Sequence, residues 1–416
     1  MCYQLTVLFG LLFCVLNILA GAPSQRWIGV VGSISEATLA EIQTRREVVS
    51  IETHAAFSLI TCNETTLQLQ LLLFRAGLTF YCEDNVEVPV TAVRLVEVDQ
   101  LAGRQVNGNS LSTTVEATVP PNLDRLDQLS NTPNGQYSPP ATGLDVKVYV
   151  LDTGVYIQNV EFEGRAFRVT DFKNEAPCTS IAHGSWVAGS VAGKIYGVAK
   201  KALIYDMKLP NGDSCTFYTS DAAAALLHLL NYVDPPFIVV MSWSAPQTSA
   251  IDYLLNQLAV KGAVLINAAG NEGSSTRPCT TSPGSSGVTY AVGSVGYSMA
   301  RSSFSNYGNC IDGFALGEDI IAAGMSSTTS LVQGDGTSIS APQMAGVAAV
   351  LMQKYSLTTN TAVYSALTTY NQKNVIVNPG SGSPNLFSNF KGNAPTPTPA
   401  NPVAPPSAAG GRLMLF

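Results

Sequence analysis

Apolar positions fall along the chain in three regimes. The first is an apolar run spanning Leu5 to Leu19, closed by the small residues Ala20, Gly21 and Ala22. It is short for a membrane-spanning helix and has the length of a secretory h-region. Residues 1–22 are therefore read as a cleaved signal peptide, although no Lys or Arg precedes the run. From 23 to 117 the pattern changes to short elements. Strands are expected in "RWIGVVG", "SIETHAAFSLIT" and "VTAVRLVEVDQ", with helices in "SEATLAEIQTRR" and "ETTLQLQLLLFRAG". This is a small α+β unit. The polar, turn-rich "QVNGNSLSTTVEATVPPN" closes it.

The third regime, 118–391, alternates strand-length apolar runs with helical periods. Buried strands are expected at 146–151, 202–207, 237–242, 263–269 and 289–295, and helices at 221–233 and 250–262. Such alternation predicts an α/β domain, a parallel sheet flanked by helices on both faces. Ligands of these sheets gather at the carboxyl ends of the strands. Residues 392–416 are rich in Pro and Ala, which predicts a disordered tail.

Composition narrows the function classes. Only 12% of the 416 residues are charged and the net charge is −7, so the chain carries no footprint for nucleic acid. Beyond the leader, no run approaches the ~18 apolar residues of a stable membrane anchor. Of eight cysteines, Cys2 and Cys14 leave with the leader and Cys62 and Cys82 form one possible pair. Cys178, Cys215, Cys279 and Cys310 remain, with their connectivity open. A secreted chain meets an oxidising compartment, which favours disulfides, and no Cys-x-x-Cys spacing suggests a metal. Asn63-Glu64-Thr65 has the form of a glycosylation acceptor.

Histidine is the scarce reagent, with three copies. His54 lies in the small N-terminal unit. His228 sits mid-helix among Ala and Leu and reads as a packed residue. His183, in "IAHGSWVAGSVAG", stands where a helix begins. Asp152 ends the apolar strand "VKVYVLD", and Asn271 follows another, "AVLINAAGN". Singly each is an ordinary turn residue. Together with Ser338 they supply a hydrolase: a hydroxyl needs a base, the base a histidine near neutral pKa, the histidine an orienting acid, and the oxyanion a donor. No histidine follows Ser338, and Gly336-Thr337-Ser338-Ile339-Ser340 is not Gly-x-Ser-x-Gly, which excludes an α/β-hydrolase. The order Asp, His, Ser is that of subtilisin. Ser338 starts a helix whose first-turn N–H groups favour negative charge. Pro342 is read as another first-turn residue, where a missing N–H does no harm.

Five collinear blocks resemble subtilases of the proteinase K branch: "VYVLDTGVYIQNVEFEGRA", "HGSWVAGSVAGKIYGVAKKA", "AAGN" at 268–271, "RSSFSNYG" at 301–308 and "GTSISAPQMAG" at 336–346. The segment before them resembles the family's I9-type inhibitory propeptide. The resemblance implies a subtilisin-like fold over 118–391, preceded by a ferredoxin-like propeptide over 23–117, with processing near Ala117–Val119. It implies Ser338 as nucleophile, His183 as base and then acid, Asp152 as orienter and Asn271 as oxyanion donor. Ser242, Trp243 and Ser244 would pair with substrate, and Ala268, Ala269 and Gly270 would line S1.

The sequence also departs from the pattern. Trp186 and Ser185 replace a histidine and a threonine, and Gln343, Met344 and Ser340 also differ. Ser244 and Ala245 replace glycines, and Asp213-Ser214-Cys215 replaces a Gly-rich substrate edge. Gly296 stands where the main calcium carboxylate would be. No cofactor is required on this reading, and that calcium site is expected to be absent. The expected protein is a secreted, monomeric, self-processing serine endopeptidase. It acts on extended polypeptides with broad apolar or aromatic P1 preference, with its own propeptide as inhibitor. The alternatives are a secreted binding protein that keeps its propeptide on this scaffold, and a non-peptidase serine hydrolase.

Overall fold

The computed structural model describes residues 25–98 with gaps at 46–47, 54–56, 64–68, 71, 74–75, 77 and 91, the pieces 105–106 and 109–110, and 119–392 apart from 170 and 171. The leader with Cys2 and Cys14, His54, Glu64 and Thr65 of the glycosylation acceptor, the expected junction at Ala117 and the tail from 393 lie outside the described residues.

The N-terminal unit contains β1 (Gln25–Val31), α1 (Glu36–Gln43), β2 (Val48–Thr53), β3 (Phe57–Asn63) and β4 (Thr79–Asp84). They form an antiparallel sheet in the order β2-β3-β1-β4. Ser35 starts α1 by accepting the Thr38 N–H at 3.2 Å. The strand expected over "SIETHAAFSLIT" is two antiparallel strands, β2 and β3. The last strand of this sheet is 79–84, upstream of the apolar run expected to supply it. The pairing considered for Cys62 and Cys82 is not made. They oppose Arg26 and Ile28 from the two strands flanking β1. Two ladder spacings, about 9–10 Å, exceed a disulfide's reach.

The large domain is built on β7 (Lys147–Asp152), β8 (Ala166–Arg168), α2 (His183–Ala192), β9 (Leu203–Lys208), β10 (Thr216–Tyr218), α3 (Thr219–Tyr232), β11 (Ile238–Met241), α4 (Ser249–Lys261) and β12 (Val264–Ala268). It continues with β13 (Tyr290–Val295), β14 (Gly313–Leu316), β15 (Ile320–Ala323), β16 (Leu331–Asp335), α5 (Thr337–Tyr355), α6 (Asn360–Tyr370), β17 (Gln372–Lys373) and β18 (Leu386–Phe387). The main sheet has the order β8-β9-β7-β11-β12-β13-β14-β18-β17 and is parallel except at its β17 edge.

Its strands bury both faces. Val148 and Val150 of β7 pack toward α2 and α5, while Tyr149 and Leu151 pack toward α3 and α4. This is why they read as continuous apolar runs rather than alternating ones. The small residues of α5 serve close packing: a side-chain carbon at Gly346 would sit 2.5 Å from Val198 Cβ. Among the described residues no helix is long and apolar enough to cross a membrane.

Two disulfides settle the connectivity left open. Cys178 joins Cys215 and Cys279 joins Cys310.

The run "VTAVRLVEVDQ" contributes to the large domain instead of its own sheet. After β4 the chain forms β5 (Glu87–Pro89), antiparallel to β10, and β6 (Arg94–Glu97), antiparallel to β16. Val88 shares an apolar cluster with Phe217 and Trp243, and Val90 belongs to the same cluster. Ala92 and Leu95 pack on another, with Trp186 and Ile339.

One buried charge stands out. Asp206 of β9 is almost fully buried, and its ionic partner is Arg168, whose Nε lies 3.6 Å away. Burial pushes its carboxyl up to about 7, with the Val155 N–H and Arg168 offsetting only part of that and the Asp152 charge adding to it. The native state therefore holds a proton that the unfolded chain releases at lower pH. Stability from this residue is greatest below the ordinary Asp range and is lost as pH rises toward about 7. Asp206→Asn should raise the thermal midpoint at pH 8, by about 1 kcal/mol or more in stability, and change it little at acid pH. Melting curves at the two pH values check this; an equal shift at both refutes it.

Candidate active site

Asp152 ends β7 and is almost fully buried. His183 opens α2, and its Nδ1 lies 2.8 and 3.0 Å from the two Asp152 carboxylate oxygens. A carboxylate there holds the proton on Nδ1 and leaves Nε2 as a base. The helix is pinned to the aspartate's loop. Gly184 N–H donates to Thr153 Oγ1 at 3.0 Å, and Gly184 approaches the Gly154 carbonyl so closely that no Cβ fits. Ser185 Oγ accepts the Tyr156 N–H at 2.8 Å. Trp186 is fully buried, donates its indole N–H to the Ile320 carbonyl at 3.0 Å, and sets its ring edge-on to His183 at 6.0 Å. Thr153, Ser185 and Trp186 thus position the imidazole, a role that sequence reasoning did not assign them.

Ser338 is the second residue of α5, a helix buried from Thr337 to Met352. The first-turn explanation for Pro342 needs correction. The helix begins at Thr337, so Pro342 is its sixth residue and its missing N–H strands the Ser338 carbonyl. That carbonyl accepts the Ser242 hydroxyl at 2.8 Å instead. Ser242, expected to meet substrate, thereby also fixes the backbone of Ser338. Ser340 faces away, with its hydroxyl 3.3 Å from the Ala315 and Leu316 carbonyls.

Asn271 is oriented by Thr337. Its Oδ1 accepts the Thr337 N–H at 2.8 Å and the Thr337 hydroxyl at 2.9 Å, which turns Nδ2 the other way. A side chain on Gly336 would lie 2.9 Å from Ser338 Oγ and 3.6 Å from Asn271 Nδ2. Glycine therefore keeps open the space that hydroxyl and amide share. The Ser338 N–H, in the first helical turn, has no intrahelical acceptor.

Ala268, Ala269 and Gly270 continue β12 as a wall of small residues. Gly270 N–H donates to Thr337 Oγ1 at 3.0 Å, and its φ of 96° requires glycine. Asn306 holds this wall: its Nδ2 donates to the Ala269 carbonyl at 2.8 Å, and its Oδ1 accepts the Glu272 and Ser274 N–H groups. Both Asn306 and Thr337 lie inside blocks quoted from the sequence, and both are buried polar residues in the structure. Trp243 is buried, donates to the Leu151 carbonyl at 3.1 Å and meets Phe217 edge-on at 5.3 Å; Ser244 is partly exposed. The substrate-edge loop is stitched to the histidine's approach by Cys178–Cys215 and by Asp213, which accepts from the Thr179 N–H and hydroxyl at 2.7 and 2.8 Å.

The structure thus joins Asp152 to His183 and sets His183 and Ser338 at the starts of two packed helices. His183 Nε2 and Ser338 Oγ are both buried, and neither has a hydrogen-bond partner among the described residues. Hydrogen bonds of this kind commonly tighten only with substrate in place. His228, by contrast, packs between the rings of Phe172 and Tyr232.

Gly296 stands where the family's main calcium carboxylate is expected. Gly296 offers no carboxylate, an added Cβ would sit 2.6 Å from Glu318 Oε2, and the Gly296 carbonyl already accepts the Met299 N–H. Among the described residues no cluster of His, Cys, Asp and Glu is arranged to hold a metal.

The family model described as "Subtilase family" matches residues 143–389. The chain is 32% identical over 307 residues to an extracellular serine proteinase of Thermus sp. (strain Rt41A), covering 73% of this chain and 74% of that protein. It is equally identical, with the same coverage, to subtilisin-like protease 1 of Pseudogymnoascus destructans. A cold-adapted subtilisin-like serine proteinase of known structure superposes with a TM-score of 0.62 at 29% identity, over 66% of this chain and all of that one. With this sheet, this cleft and these relatives, the chain belongs to the subtilase family and is a serine-type endopeptidase of the subtilisin-like α/β fold.

Proposed function

We propose that the protein is a secreted zymogen that processes itself and then cleaves extended polypeptides through Ser338, His183 and Asp152. The observation that carries this reading is the Asp152–His183 hydrogen bond ending at a helix packed against the one that bears Ser338. Ser338 Oγ attacks the scissile carbonyl while His183 Nε2 takes its proton, and Asp152 stabilises the imidazolium. The oxyanion is received by Asn271 Nδ2 and the Ser338 N–H. The imidazolium then protonates the leaving amine, and an acyl-enzyme remains. Water, deprotonated by His183, attacks the ester and restores the serine. The small residues Ala268, Ala269 and Gly270 suit an apolar or aromatic P1 side chain, which Ser244 in place of a glycine would narrow. Secretion is supported by the leader and by two disulfides, and the Thermus relative is named extracellular.

The zymogen reading rests on how residues 25–97 meet the large domain. Glu83 accepts the Ser249 N–H at 2.9 Å, at the start of α4. Asn85 accepts the Ser220 N–H at 3.1 Å, in the first turn of α3. Carboxylate and amide oxygens suit helix N-termini. The chain then passes from β10 to β16, on either side of the nucleophile loop. Residue 91 lies outside the described residues, but Val90 and Ala92 belong to the clusters on the two sides. We place the first cut at the 91–92 bond, upstream of the junction expected near 117. The burial of Asp152, His183 and Ser338 agrees with a cleft covered by its own chain. That burial also favours the second reading, a binding protein whose cleft never opens.

Ser338→Ala should leave a single unprocessed band on a denaturing gel, and a processed mutant would refute self-cleavage. A fluorophosphonate probe should label the secreted wild type; absent labelling with the N-terminal unit bound would favour the binding protein. Asn271→Ala should lower kcat by about 10²–10³, the loss known for such a donor in subtilisin itself. A loss confined to KM would refute the oxyanion role.

Docking should also respond to pH. Burial raises Glu83 to about 7, with Asp84 and Asp252 adding to the rise and the Ser249 and Ala250 N–H groups opposing it. The docked state holds the proton, so docking is tightest below the ordinary Glu range and weakens as pH climbs toward about 7. Release of the N-terminal unit should speed up from pH 5 to 8, and Glu83→Gln should flatten that trend. An unchanged trend in the variant would count against it.

A further inference from the structure

On the leaving-group side of the cleft, β6 lies on β16, the strand that runs into Ser338. Arg94 opposes Asp335 and Leu95 opposes Gly334, and the Val93 N–H donates to the Asp335 carbonyl at 2.9 Å. Gly334 allows the approach, since a side chain there would meet the Arg94 carbonyl and, at 2.9 Å, the Trp186 ring. The Arg94 guanidinium grips Asp335 with two nitrogens, Nε at 2.7 Å from Oδ2 and Nη2 at 3.1 Å from Oδ1. Nη2 also meets Asp319 Oδ1.

The two carboxylates are held without Arg94. The Asp319 N–H donates to Asp335 Oδ1 at 2.6 Å, and Gln333 Nε2 donates to Asp319 Oδ1 at 3.2 Å. Asp319 follows β14 at a φ of 57°, so the turn and β16 together fix the pair. Glu318 adds negative charge nearby: burial first, and then the charges of Asp319, Asp335 and Glu318, raise the half-buried Tyr297 phenol above its ordinary range. Like charges this close call for a cation, and a planar fork matches a carboxylate better than a point charge does.

The edges of β10 and β16, which pair with residues 87–89 and 94–97, offer a polypeptide substrate the same backbone pairing. We propose that Asp319 and Asp335 form a specificity subsite for an arginine, or more weakly a lysine, three residues beyond the scissile bond of the substrate. The chain's own Arg94 fills it until residues 92–97 leave the cleft. The inference rests on the endopeptidase reading and on the 91–92 bond as the register of the cleft.

The test is a digest of a denatured-proteome peptide mixture by the processed enzyme, with residue frequencies around each cut read by mass spectrometry. A fluorophosphonate label is measured in parallel. The wild type should enrich Arg about three- to tenfold at the third position after the cut, the range of a partly exposed but bidentate charged pair. Rising salt should shrink that enrichment, and Asp319→Asn, which keeps the Asp335 fork but removes one of the two charges, should lower it clearly. A flat wild-type profile at that position, or one unchanged in Asp319→Asn, overturns the subsite. If the variant does not fold, the salt series on the wild type decides: enrichment that ignores salt overturns the proposal. No cuts and no labelling would instead defeat the endopeptidase reading, a different outcome from cuts without preference.

Discussion

Burial of α5 is the constraint from which the site follows. A helix sunk in the domain from Thr337 to Met352 must satisfy or exploit every backbone group at its start. Pro342 removes the N–H that would have met the Ser338 carbonyl, and the Ser242 hydroxyl replaces it. The backbone of Ser338 is thus tied to the end of a neighbouring strand rather than to its own helix. The first-turn N–H of Ser338 has no intrahelical acceptor and is, on the proposed mechanism, a donor to the oxyanion. Thr337 completes the arrangement by turning the Asn271 amide toward the same space.

The same economy of contacts explains the residues that depart from the family pattern. Trp186 clamps α2 through the Ile320 carbonyl and gives the imidazole an apolar neighbour. Cys215 and Asp213, in place of a glycine-rich edge, bind the loop before His183 through a disulfide and two hydrogen bonds. The segment before His183 and the loop carrying Asp213 and Cys215 are therefore cross-linked. Trp186 also borders Gly334, so the side chain that steadies His183 also backs the strand against which β6 lies.

Much of this was legible in the sequence. The five strands expected at 146–295 appear within a residue or two, since strands buried on both faces must be apolar throughout. The scarcity of histidine and the order Asp152, His183, Ser338 singled out the chemistry. Less legible were residues whose partners are distant in the chain. Thr153 acts through Gly184, Asn306 through Ala269, and Ser242 through Ser338. Singly they are small polar residues in loops.

The clearest divergence concerns "VTAVRLVEVDQ". Its alternation specifies a strand but not a sheet, and backbone pairing carries no address. By itself the sequence marked most of the elements, the candidate catalytic residue types and their order, because periodicity and reactivity are local properties. Which edge that strand joins, which hydroxyl meets which carbonyl and which carboxylates receive Arg94 were decided only by the tertiary structure. Those choices depend on geometry between segments up to 241 residues apart, where contact follows from the packing of the whole domain.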